Sequence, residues 1–83
     1  MVEYLHLNNG DSFQIAKWSC SPDNNKYVFT GIKNGIYHVV VKNRIGDNVY
    51  QREFSFTNGF KANKLYNAFC ETIYQEPDKE IEL

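Results

Sequence analysis

Residues 26–57, KYVFTGIKNGIYHVVVKNRIGDNVYQREFSFT, decide the fold. Asn34-Gly35 separates two β-rich runs, and Asn-Gly is the pair that best tolerates positive φ at both central positions of a type I′ turn. Two strands therefore meet there. Pairing Lys33 with Ile36 sets Ile32 opposite Tyr37, Thr30 opposite Val39 and Val28 opposite Val41, on one face because side chains alternate along a strand. This is face A. The next loop, Arg44-Ile45-Gly46-Asp47, returns the chain into residues 48–56. Either a two- or a four-residue turn puts Tyr50, Phe54 and Phe56 on face A as well. Face B then carries Tyr27, Phe29, Ile36, His38, Val40, Lys42, Val49, Gln51, Glu53 and Ser55, a mixed surface that can be partly wet.

Upstream, residues 2–7 read as a short strand ending in the turn cluster Asn8-Asn9-Gly10-Asp11. Residues 12–20 form its partner. Phe13 and Ile15 lie on one parity, and Ala16, Trp18 and Cys20 on the other. A bulge near Ala16 is expected, keeping both sets inward. Residues 21–25 form a loop, since proline cannot donate to a ladder and Asp and Asn favour local turns. Downstream, the apolar period changes: Ala62, Leu65, Tyr66, Phe69, Cys70 and Ile73 recur at three- and four-residue steps, predicting a helix over about 60–75 capped by Thr57 or Asn58. Pro77 ends it. A helix of this length is marginal alone, so its stripe is expected to dock on face A. The fold class is α+β: an antiparallel meander of about five strands with one C-terminal helix packed across one face. Residues 1–76 form the single domain, and residues 77–83 an acidic tail.

A chain of 83 residues supports one small core, to which 6 Phe, 6 Tyr and 1 Trp contribute much of the buried area. The net charge of −1 is unevenly spread: residues 1–70 hold 8 Lys/Arg and 5 Asp/Glu, whereas residues 71–83 hold 1 and 5. A wholly electrostatic nucleic-acid binder is thereby disfavoured. No apolar run reaches the ~20 residues of a membrane helix, and the N-terminal residues lack the pattern of a signal peptide. The expectation is a soluble, cytoplasmic protein in a reducing compartment, without membrane contact.

His6, Cys20, His38 and Cys70 are spread singly rather than in the close pairs of a structural zinc site, so no metal, cofactor or disulfide is expected. Neither cysteine has a local base or cation that would activate it, and the carboxylates offer no acid–base pair. No glycine-rich phosphate loop opens the helix. An enzyme is not expected. His38 lies across from Gly31 and can face a ligand in the space that the glycine leaves.

Binding remains. The first expectation is a protein-binding module that presents Tyr27, Phe29, His38, Lys42, Arg44 and Gln51 to a protein partner, because such residue types dominate interface hot spots. Glu76, Asp78, Glu80 and Glu82 would add an anionic lure for a basic groove. In size, lack of visible chemistry and Asn, Lys, Tyr and Ile content, the chain is similar to accessory proteins of phages and mobile elements, anti-CRISPR proteins included. That resemblance implies a cytoplasmic inhibitor acting by direct contact on a nucleic-acid-handling machine. The alternative is single-stranded nucleic acid. Over residues 12–74 the order of a meander before a C-terminal helix is similar to whirly, positive-cofactor and PUR-repeat domains, which implies an aromatic platform on Tyr27 and Phe29 with Lys42, Arg44 and Gln51 along the phosphates. Exposed strand edges also admit a homodimer through β-pairing.

Overall fold

The structure, a computed structural model, describes residues 2–73. The element order is β1 (Tyr4–His6), β2 (Ser12–Gln14), β3 (Lys17–Cys20), β4 (Lys26–Lys33), β5 (Ile36–Ile45), β6 (Asn48–Phe56) and α1 (Gly59–Ile73). The fold is α+β, with two antiparallel sheets and one helix: β1 and β2 form a two-stranded hairpin, and β3-β4-β5-β6 form a four-stranded meander. The acidic segment 77–83, and the end of the helix near Pro77, lie outside the described residues.

The central hairpin follows its turn chemistry. Asn34 (φ 53°) and Gly35 (φ 79°) both occupy the left-handed region that a type I′ turn requires, and Lys33 pairs with Ile36. The register then runs unbroken to Lys26 opposite Asn43. The second turn uses only Gly46 and Asp47, since Ile45 pairs with Asn48. Gly46 carries the positive φ. The resulting pairs Tyr37–Phe56, Val39–Phe54 and Asn43–Tyr50 place the β6 rings on face A, as the alternation requires.

The middle of face A is dry because α1 lies on it. Its ends, at Ile32 (48% exposed) and Tyr50 (53% exposed), extend past the helix and are open, so Tyr50 is not the core ring that alternation alone suggests. Val28, Val39, Val41, Ala62, Tyr66 and Phe69 are buried together, with Tyr37, Phe54, Phe56, Leu65 and Cys70 packed around them. The helix begins where Asn58 caps it: the Asn58 side-chain oxygen accepts from the backbone N–H groups of Phe60 (2.8 Å) and Lys61 (3.3 Å). Beneath the helix, the Tyr66 and Ser19 hydroxyls lie 3.2 Å apart, and the Cys70 thiol donates to Ser19 Oγ (3.4 Å), so the polar tips near β3 are paired.

Residues 12–20 depart from the expected single bulged strand. The Ile15 N–H donates to Glu3 O (2.9 Å), in the hairpin, and the next N–H, from Ala16, donates to Thr30 O (2.9 Å), in the meander. Consecutive backbone groups thus serve different sheets. The segment becomes two strands rather than one, which gives six in place of about five. The expected inward placement of Trp18 fails for the same reason: leaving the hairpin resets the parity, and Trp18 pairs with Phe29 on face B, where it is 54% exposed.

Candidate functional site

Face B is divided. The β1–β2 hairpin folds over one part of it, where Leu5, Phe13 and Val40 are buried together and Leu7, Ile15 and Phe29 pack against them. Phe13 comes so close to the sheet that a Cβ on Gly31 would stand 2.6 Å from its ring and 2.2 Å from the Gln14 carbonyl oxygen. The space left by that glycine is therefore filled by the chain itself. His38, opposite Gly31 in the register, stacks on Phe13 with ring centroids 5.0 Å apart and planes at 18°. Its Nδ1 lies 3.3 Å from Ser55 Oγ. His38 thus faces a protein ring in the space that Gly31 leaves.

The same hairpin engages β6. The Gln51 side-chain amide donates to His6 O (3.0 Å), and Glu53 Oε2 accepts from the Asn8 N–H (2.7 Å) as well as from Gln51. Gln51 is accordingly committed to holding the hairpin down.

Beyond the hairpin, face B is open. Tyr27 stands beside Lys42 in the ladder, Trp18 beside Phe29, and Arg44 beside Val49. The three rings form a row: Trp18 and Tyr27 are 6.4 Å apart and inclined at 31°, and Tyr27 and Phe29 are 6.0 Å apart with planes within 6°. Phe29 is the inner member, packed against the hairpin core, so Trp18 and Tyr27 are the rings that lie beyond the hairpin. Val49 is 62% exposed and Arg44 is exposed. Among the described residues, neither Lys42 nor Arg44 makes a side-chain hydrogen bond or ion pair. Both charges are available to an incoming group.

The loop 21–25 borders this open end and is stiffened locally. The Ser21 hydroxyl and the Asn25 N–H (3.0 Å) donate to Asp23 Oδ1, and these bonds hold the Asp23 carboxyl below the usual carboxylate range. The Cys20 thiol donates to Asn24 Oδ1 (3.6 Å). Cys20 and Cys70 are free thiols on opposite sides of the sheet. Among the described residues no three His, Cys, Asp or Glu side chains gather to hold a metal ion. On the other side, a shallow apolar groove of about 190 Å³ runs between β4 and the start of α1, lined by Ile32, Tyr37, Gly59, Ala62 and the Lys17 stem.

Of the residues expected to bind, Tyr27, Lys42 and Arg44 share the open end of face B. Phe29, His38 and Gln51 are drawn toward the hairpin, and Glu76, Asp78, Glu80 and Glu82 lie outside the described residues. Trp18 was not among the expected contacts. The signal lay in the loop: closing 21–25 on Ser21 and Lys26, as the Ser21 N–H to Lys26 O bond does (2.9 Å), counts back to Trp18 opposite Phe29. No protein-family model, curated protein or solved structure matches this chain.

Proposed function

We propose that this chain is a non-enzymatic protein-binding module that uses the open end of face B, with Trp18 and Tyr27 as anchors and Lys42 and Arg44 as cationic flanks. The observation that carries the reading is Trp18, half exposed on a strand that is itself fixed by pairing and by contact with α1. Exposed tryptophan on a rigid support loses little conformational entropy on binding, and Trp, Tyr and Arg are the commonest hot-spot residues. The mode of action consistent with so small a body is occlusion: inhibition of a host nucleic-acid-handling machine by direct contact, with the acidic residues beyond Pro77 adding attraction to a basic groove.

A single-strand-binding reading is favoured by one observation, the Trp18–Tyr27 pair of rings beside two cations that lack partners among the described residues. Two accessible rings accommodate about two stacked bases, and the net charge of −1 limits phosphate attraction. One experiment separates the readings. The wild type and Trp18→Ala are compared for capture of a protein from host lysate and for retention on single-stranded DNA at low and high salt. The expected result is a discrete protein partner lost on Trp18→Ala, with a loss of about 2 kcal/mol or more, and no salt-dependent retention. Retention that collapses with salt and with Trp18→Ala would establish the nucleic-acid reading instead. Partner capture unchanged by Trp18→Ala would remove this surface from the account.

A further inference from the structure

The two edges of the meander are not alike. β3 is four residues long and flanked by a loop containing Pro22, whereas β6 runs for nine residues without proline, and its pairing with β5 continues without a bulge. Short strands, prolines, bulges and lysines are the usual protections of a sheet edge. β6 has no proline, bulge or lysine, and its one cation, Arg52, lies over the Phe54 ring on face A. Because Ile45 and Asn48 flank a two-residue turn, they form a hydrogen-bonded pair. The alternation of the ladder then turns the backbone N–H and C=O groups of Val49, Gln51, Glu53 and Ser55 away from β5. The side chains of Gln51 and Glu53 do not shield that edge, since both are drawn over face B to His6 and Asn8. Ile45, Val49 and Tyr50, at the open end of the edge, are 60%, 62% and 53% exposed.

The geometry points to a second copy of this chain as the occupant of the β6 edge, in an isologous antiparallel pairing centred on Gln51. The self-complementarity of the strand selects that centre. A two-fold axis normal to the sheet keeps face A continuous only when odd residues meet odd and even meet even. Centring on Tyr50 or Phe54 would leave only residues 48–52 or 52–56 of β6 overlapped, centring on Arg52 would set Arg52 against itself, and centring on Glu53 would set Glu53 against itself. Centring on Gln51 instead pairs Gln51 with Gln51, Tyr50 with Arg52 and Val49 with Glu53, which places no like charges opposite each other. The product is a continuous eight-stranded sheet, with each α1 on the same side. The Trp18 end lies on β3, at the far edge of each copy, and stays accessible. This inference therefore stands apart from the proposed function.

Sedimentation equilibrium over a concentration range tests it, with Tyr50→Lys and Tyr50→Glu as paired variants. Both sit at a half-exposed position, so the fold is expected to persist by far-UV circular dichroism. The wild type is expected to reach twice the chain mass of 9.7 kDa. Tyr50→Lys, which sets lysine against arginine twice, should raise the dissociation constant about tenfold, whereas Tyr50→Glu should leave it unchanged or lower it. Amide exchange at Val49, Gln51 and Glu53 should slow as the wild-type concentration rises. A wild type that stays monomeric up to about 1 mM, exchange independent of concentration, or equal effects of the two variants would overturn the pairing.

Discussion

A methyl group at residue 31 has no room. Its ideal position lies 2.2 Å from the Gln14 carbonyl oxygen and 2.6 Å from the Phe13 ring, both closer than atoms approach. Backbone cannot give way as a flexible side-chain tip can, so Gly31→Ala should lower stability by about 1–3 kcal/mol, read from the midpoint of urea unfolding at unchanged slope. A midpoint equal to that of the wild type would mean that the hairpin does not rest on the sheet. The sequence placed Gly31 opposite His38 correctly, because register follows from the Asn34-Gly35 turn. What fills a gap above a glycine is decided by a ring 18 positions earlier in the chain, and no local pattern encodes that. Trp18 escaped for a different reason: its side follows from closing the loop 21–25 on Ser21 and Lys26, and not from the parity of Phe13 and Ile15, because the chain changes sheets between Ile15 and Ala16.

At the scale of elements, the central strands and the helix were legible because each is specified twice over. The β4–β5–β6 meander has both its turns and its alternation, and α1 has both its stripe and its Asn58 cap. The β1–β2 hairpin has weaker local credentials, with strands of three residues each. Two such strands are marginal alone, so the hairpin persists through Phe13, which is 1% exposed, and its contact with Val40 and His38. Phe13→Ala should cost about 3–5 kcal/mol. Its exchange signature is specific: the amides of β1 and β2 should lose protection first, while those of β4 and β5, still covered by α1 on face A, keep more. Uniform loss across all strands would show that the hairpin is not a separable unit.

The molecule as a whole is a four-stranded sheet with a helix closing one face and a hairpin closing part of the other. No helix among the described residues is long and apolar enough to cross a membrane. Covering both faces gives so short a chain two buried clusters, one around Val39 and one around Val40, on consecutive residues of the same strand. The cover on face B is smaller than the face. The uncovered end is where Trp18, Tyr27, Lys42 and Arg44 come together, and every functional statement above depends on that end being open. The rings and cations of β4 and β5 were readable in the sequence as a candidate surface, since alternation puts them on one side. What the proposed surface would bind was not, because binding surfaces carry no fixed spacing of the kind that marks a metal site or a phosphate loop.

The chain contains a single tryptophan beside six tyrosines, so indole fluorescence, excited beyond the tyrosine absorption band, reports on that end alone. Emission and acrylamide quenching should be measured on the folded protein and again in denaturant. The account predicts a native indole that is already substantially solvated, quenched efficiently and changed only modestly by unfolding. A blue-shifted native emission that acrylamide barely reaches, moving sharply to the red on unfolding, would mean that Trp18 is enclosed and that the open end of face B does not exist.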